Sequence, residues 1–355
     1  MTLLSVIIPV YRVEEFLPRC LESVLGQSFT DVEVIAVDDA SDDGCADILA
    51  RYARWDPRLH VVTLPANAGL GAARNAGIAR ATGDYVWCVD SDDWLPDGTL
   101  AAVATRLRET TPDVLVTGYA RVYPDSRVKH YTVGDVTRGA VVPGVFTFAQ
   151  QPGLLDVLWI ACNKVFRREF LNRHGFVFGP GWYEDVAFVL PALLAAERIS
   201  LLDRYCYAYR QRPAGAITFT VSRRHFEVFD QWRRVFEFLD AHPGTPTVLR
   251  SRIFQKMIWH VLQVLGHDSR VPRADRHDYF RQVCDLYRRY RPLAGVAVPG
   301  GNDGVKQRLV AVGAYWPYEA LNTGWQTRGR MLRTLRSPGR RVPTGGARPT
   351  AGAVR

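Results

Sequence analysis

Asp90-Ser91-Asp92-Asp93 sets acidic side chains two residues apart, directly after the apolar run Tyr85–Val89. Carboxylates so spaced at a strand end can point to one side and hold a hard divalent cation. Mg²⁺ or Mn²⁺ bound by one or two carboxylates can take its remaining ligands from a diphosphate. The same residues also suit an acidic turn in which Asp93 or Asp97 caps the next helix. Asp38-Asp39 closes a second apolar run, and a carboxylate there can accept an N–H from a pyrimidine base. Ser41 or Asp42 could cap the following helix without either residue. In Asn67–Gly77 the glycines allow close backbone approach, and Arg74 can reach an anionic or planar group; a plain loop and glycine-tolerant helix would read alike. Glu184-Asp185 opens an apolar helix behind Trp182-Tyr183. Paired acids there complement the helix dipole, or one serves as the base that takes a proton from a sugar hydroxyl beside an aromatic wall.

These groups need elements to hold them. Leu3–Val10, Val32–Val37, Leu59–Leu64, Tyr85–Val89 and Val114–Thr117 read as strands. Helical patterns at Glu14–Leu25, Asp43–Tyr52, Leu70–Ala81 and Asp97–Arg108 alternate with them. Near-continuous apolar strands separated by helices predict an α/β fold with a mainly parallel sheet, covered on both faces. Such sheets bind ligands at the carboxyl ends of their strands, where the polar groups fall. No glycine-rich phosphate loop follows the first strand, so other groups must balance phosphate charge. Residues 121–155 read as strands or loops. Asn163–Arg173 reads as a short helical stretch and Glu184–Ala195 as a helix. From Arg223 long amphipathic helices take over, at Arg223–Ala241, at Thr247–Leu265 and around Tyr279, Val283, Leu286 and Tyr290. The spacing of those four predicts one packing face, not a stacking platform for nucleic acid. The organisation expected is 1–220 for the α/β domain, 221–325 for a smaller helical region and 326–355 for a disordered tail.

The formal charge of the 355 residues is +9, but from Thr323 onward there are eight arginines and no acid. The rest of the chain carries +1. A basic tail on a near-neutral body suits weak attraction to anionic surfaces and gives no sign of a nucleic-acid partner. Six scattered cysteines lack any CxxC pair, so free thiols are expected. No leader or apolar run of about 20 residues stands out, which makes the cytoplasm the expected location, with peripheral contact at the inner membrane face left open.

The order of the motifs resembles the family 2 glycosyltransferases of the GT-A fold. It runs from Ser5-Val6-Ile7-Ile8-Pro9-Val10-Tyr11 through Val37–Asp43, Asn67-Ala68-Gly69 and Ala73-Arg74-Asn75 to Val89–Asp93. Asn163-Lys164 and Trp182–Asp185 extend the match, especially to bacterial members that decorate wall teichoic acids and capsules. The resemblance implies a metal-dependent inverting transferase moving sugar from UDP to a glycan or polyol-phosphate polymer. Pro9 and Tyr11 would flank the base, and Asp39 would pair with uracil, assisted by Asn67 and Arg74. Asp90, with Ser91, would contact the ribose or the metal-bound phosphates, and Asp92 would ligate Mn²⁺ or Mg²⁺. Asp185 would be the catalytic base, with Glu184 orienting or binding the acceptor. Arg210 and Arg212 lie where such enzymes close a loop over the diphosphate. Ala40 departs from the asparagine or glycine of many relatives, which leaves contacts around the base open. Another NDP-sugar such as a GDP-sugar, a nucleotidyltransferase and a polysaccharide-binding relic are the alternatives. Self-association of the helical region is a further open partner.

Overall fold

The computed structural model describes residues 2–134, 144–212, 219–292 and 299–324. Four parallel strands, β1 (Leu4–Val10), β2 (Val32–Asp38), β3 (Leu59–Thr63) and β4 (Tyr85–Cys88), lie in the order β3-β2-β1-β4. Every residue of β1, β2 and β4 is buried, which is why their sequences run apolar without alternation. The helices between them are α1 (Leu17–Leu25), α2 (Cys45–Trp55) and α3 (Leu70–Arg80), with α4 (Thr99–Thr110) after β4.

Beyond β4 the sheet becomes mixed. β5 (Val114–Val122), β6 (Val128–Tyr131), β7 (Lys164–Arg167) and β8 (Ile199–Arg210) complete it, with β7 antiparallel between β4 and β5, and β6 antiparallel on β5. β8 runs parallel to β5. The helical reading of 163–173 is corrected here. Residues 164–167 pair as β7, and only Arg168–His174 is helical, as α5. Burial decides this, because Lys164, Val165 and Phe166 are enclosed side by side in mid-sheet, which no one-faced helix permits.

α6 (Glu184–Ala195), α7 (Glu227–Ala241), α8 (Thr247–Gly266) and α9 (Arg276–Tyr290) follow. Tyr279, Val283, Leu286 and Tyr290 are all buried on α9, so they are packing residues as expected. Met1–Pro299 make one compact unit that contains the sheet and α7–α9. Gly300–Arg355 make a second, whose described part carries α10 (Gly301–Ala311). The arginine-rich tail, 326–355, lies outside the described residues. All six cysteines are buried free thiols. No helix among the described residues is long and apolar enough to cross a membrane.

Candidate active site

In the order β3-β2-β1-β4 the connection reverses direction between β1 and β4, and the crevice outside their carboxyl ends is the natural ligand site. Pro9 is buried near the end of β1, while Tyr11, just past it, is exposed. Asp39 follows β2, and its N–H bonds to Val10 O at 2.9 Å, which brings the two strand ends together. The Asp39 carboxylate accepts backbone N–H bonds from Ala68 and Gly69 at 2.7 and 2.8 Å. Asn67 closes the same contact on the Asp39 carbonyl at 3.5 Å. Gly69 takes φ +91°, a left-handed conformation that suits glycine, as the chain turns into α3. Asp39 therefore fixes the 67–69 loop as a rim beside the β1 end, and its oxygens retain further lone pairs for a ligand.

The acidic cluster after β4 divides into separate tasks. Asp93 is buried and accepts from the Tyr207 hydroxyl and from Arg210 N at 2.7 Å, which ties the end of β8 to the end of β4. Neither Asp93 nor Asp97 caps α4, whose N-cap is Gly98 without a side-chain bond. Ser91 is buried. Asp92 is different: its side chain is 18% exposed and meets Arg212 Nη2 at 2.7 Å. Arg210 donates from Nε to the Asp92 carbonyl at 2.7 Å. Both guanidiniums stand over the Phe16 ring, at 4.8 and 5.2 Å from its centre. Burial pushes the Asp92 carboxyl up, and the Arg212 charge opposes that shift.

Asp90 turns inward, to a second cluster. Arg74, on α3 and only 1% exposed, donates from Nη2 to Asp90 Oδ1 at 2.8 Å. Its Nη1 meets Glu184 Oε1 at 2.9 Å and Asp185 Oδ1 at 2.8 Å, both in the first turn of α6. Sequence reasoning grouped Arg74 with Asn67 around the base; in the fold it joins Asp90 to the acidic pair instead. Gly71 makes the approach of α3 possible, because a Cβ there would stand 2.7 Å from the Gly179 carbonyl. Desolvation raises the carboxyls of Glu184 and Asp185, and Arg74 pulls both the other way. Asp185 stays 17% exposed, so it alone of the α6 pair remains well open to a reactant.

Residues 5–175, which carry the strand-end carboxylates, match the family described as Glycosyl transferase family 2. Over that span the chain is similar to the family 2 glycosyltransferases. EpsJ of Bacillus subtilis (strain 168), named an uncharacterized glycosyltransferase, is 31% identical over 59% of this chain and 62% of its own length. The poly(ribitol-phosphate) beta-glucosyltransferase of Bacillus spizizenii is 31% identical over 60% of this chain and 33% of its own. The chain thus spans less than two thirds of either curated relative. Staphylococcus aureus TarS 1–349, solved in complex with UDP-GlcNAc, shares the fold with a TM-score of 0.71 at 20% identity, covering 92% of each chain. The fold is the GT-A-like one expected.

Several residues around the family 2 site escaped sequence reasoning as supports. Lys164 is fully enclosed and donates to the Leu158 and Ile160 carbonyls and to Asn163 Oδ1, at 2.8, 2.9 and 2.6 Å. Burial pulls its ammonium down to about 7, and the nearby Asp185 charge resists that shift. Tyr183, left-handed at φ +64° before α6, bonds through its hydroxyl to His225 Nδ1 at 2.6 Å. His225 Nε2 lies 2.7 Å from the Thr220 carbonyl, so it carries the proton and Nδ1 accepts from Tyr183. Glu227 Oε2 accepts the Trp182 N–H at 2.6 Å. The start of the helical region therefore clamps the turn that presents Glu184 and Asp185. Trp182-Tyr183-Glu184-Asp185 was visible as a motif; the Glu227 and His225 that clamp it lie more than 40 residues downstream.

Among the described residues no three His, Cys, Asp or Glu side chains form a self-sufficient metal site. The donor set fits a cation of another kind. Asp92, partly exposed, with Asp90 two residues earlier, would supply one or two oxygens and leave the remaining ligands to phosphate and water, as Mg²⁺ and Mn²⁺ accept.

Proposed function

We propose that the protein is a metal-dependent inverting glycosyltransferase that moves a sugar from a UDP-sugar to a hydroxyl of a surface-polysaccharide acceptor. The observation that carries this reading is the shared guanidinium of Arg74, which holds Asp90 on the donor side and Asp185 on the acceptor side. Pro9, Tyr11, Asn67 and Asp39 form the rim for the base, where a carboxylate favours the N3–H of uracil. Asp92 holds the divalent cation, which supplies charge neutralisation at the diphosphate. Arg210 and Arg212, stacked over Phe16 beside Asp92, face the same leaving group. Asp185 takes the acceptor proton as the hydroxyl attacks the anomeric carbon, and its raised carboxyl makes it a stronger base. Single displacement turns an α-linked donor into a β-linked product. The UDP-GlcNAc complex of TarS and the name of the Bacillus spizizenii relative support a UDP donor and a polyol-phosphate type of acceptor.

The test is nucleotide release from a panel of UDP- and GDP-sugars, with and without Mn²⁺. Release of UDP that requires both metal and acceptor is the expected result. Preference for a GDP-sugar would move the donor assignment. Release of sugar 1-phosphate in place of the nucleoside diphosphate would indicate a nucleotidyltransferase, and binding without release would indicate a sugar-binding relic.

A further inference from the structure

The turn ahead of β7, residues 158–163, touches carboxylates on both sides of the site. Cys162 directs its thiol to Asp90 Oδ2 at 3.3 Å, the oxygen that Arg74 leaves open. Ala161 turns its N–H to the Asp185 carboxylate. The turn is pinned to its neighbours in the sheet. Trp87 of β4 donates from Nε1 to the Cys162 carbonyl at 2.6 Å, and Asn163 Nδ2 donates to Thr117 O of β5 at 3.2 Å. Lys164 N closes the turn on the Ala161 carbonyl at 2.9 Å.

From within, the turn is held by the Lys164 side chain. Its ammonium has three N–H groups and meets three acceptors, the carbonyls of Leu158 and Ile160 and the amide oxygen of Asn163. That match is complete for the charged form; a neutral amine keeps two donors and would leave one of these oxygens unpaired. No carboxylate forms an ion pair with Lys164 among the described residues. An enclosed charge without a counter-ion is costly, and neutral donors could close such a turn without it. Holding the turn does not by itself explain the charge.

Asp185 supplies the explanation. Burial raises its carboxyl; Arg74 of α3 pulls it down, the Asp90 charge pushes it up, and Lys164 and the Ala161 N–H act with Arg74. Glu184, beside it in the first turn of α6, is raised by burial and by the Asp185 charge. The Cys162 thiol is pushed well up by its own burial, so it stays protonated and adds no charge. Arg74 is divided among three carboxylates. Lys164 is not divided: Asp185 is the carboxylate that favours its ammonium.

We infer that Lys164 is a positioning residue for the transfer step: its ammonium fastens the 158–163 turn against Asp90 and Asp185 and sets a fixed positive charge near the base. Being enclosed, it touches neither donor nor acceptor and acts through the turn and through its field on Asp185. The inference rests on the transferase reading above for the role of Asp185, but half of its test does not.

The chain has four lysines, Lys129, Lys164, Lys256 and Lys306, and only Lys164 is buried. NMR of the full chain, carrying ¹³C at lysine Cε, can therefore follow each of them against pH. The Lys164 signal should titrate well below the other three. In Asp185→Asn it should titrate lower still, by about half a pH unit or more, because the opposite charge that favoured the ammonium is gone. Such coupling is reciprocal. In Lys164→Met the acid limb of kcat/KM should move to higher pH by a similar amount, since Asp185 loses a cation that favours its basic form. A lysine that served only the turn would lower activity by one factor at every pH. An acid limb that stays in place in Lys164→Met, or a Lys164 signal unchanged in Asp185→Asn, would overturn the inference. Should Lys164→Met fail to fold, the lysine titration in wild type and Asp185→Asn decides alone. Wild type that transfers no sugar would sink the transferase reading, and the lysine titration would still decide the charge coupling.

Discussion

Two arginine–carboxylate groups lie a short distance apart in this site and are built on opposite principles. Arg74 is enclosed and shared among three carboxylates drawn from β4 and α6. Arg212 is partly open and meets only Asp92. Water cannot reach the Arg74 guanidinium, which is 1% exposed, so its geometry is fixed by the fold and a change there is felt by all three carboxylates. On the proposed function the second group is exchangeable, a cation and a diphosphate taking the place of the ion pair. The enclosed group would then position the site, and the less enclosed one would be where charge arrives and leaves.

The largest effect expected from this contrast is on stability. Arg74→Met leaves the enclosed Glu184 and the partly exposed Asp90 and Asp185 close together without their cation, at a cost of about 3–5 kcal/mol. Arg212→Met removes a partly solvated pair, at a cost of about 0–1 kcal/mol. Urea midpoints for the two variants and wild type check this. Equal, small losses would mean that the Arg74 cluster is hydrated in solution and does not organise the fold.

Next in size is the effect on turnover. Asp185→Asn keeps shape and two hydrogen-bonding atoms but removes the basic oxygen, so transfer should fall by roughly 10²-fold or more while UDP-sugar still binds. Glu184→Gln, being more enclosed, should cost less in the chemical step. The pH profile sharpens the assignment. Burial raises both carboxyls, and a base must be deprotonated to act. Activity should therefore fall on the acid side at a pH above the ordinary carboxylate range of about 4, and that limb should be missing from the residual activity of Asp185→Asn. Near-normal turnover in that variant, with a large loss in Glu184→Gln, would transfer the role to Glu184.

The contrast also explains what could be read in the sequence. β1 to β4 were legible because strands buried on both faces run apolar without interruption. β7 was not, since four residues with a lysine among them carry no period of their own. β8 was missed for another reason. The bulge at Cys206 breaks the alternation that would otherwise mark Ile199–Arg210 as a strand. Asp92, Glu184 and Asp185 were visible as motifs because their own neighbours place them. The partners of Arg74 were not visible, because they lie 16, 110 and 111 residues away and only the assembled sheet brings them together. The same holds for His225 behind Tyr183. Local pattern reveals which residues could react; long-range packing decides which of them share a charge.

The smallest effect expected is the most informative about exchange at the open pair. If Arg212 occupies Asp92 until donor and cation arrive, then removing the arginine should free the carboxylate. Arg212→Met is expected to bind Mn²⁺ in the absence of nucleotide more tightly than wild type, by roughly threefold, the scale of one partly exposed ion pair. Asp92→Asn should lose that binding, whereas Arg74→Met, if it folds, should strengthen it less than Arg212→Met, because its guanidinium pairs with Asp90 and leaves the Arg212–Asp92 pair in place. In the presence of UDP the order should reverse for Arg212→Met, since the cation that helped to hold the diphosphate is gone. A fluorescence or calorimetric Mn²⁺ titration, run with and without UDP on all three variants, reads both halves. Unchanged metal affinity in Arg212→Met without nucleotide would show that the ion pair and the cation do not compete for Asp92. Both arginines would then be structural, and the distinction between an enclosed and an exchangeable cluster would fail at the point where it makes its most specific claim.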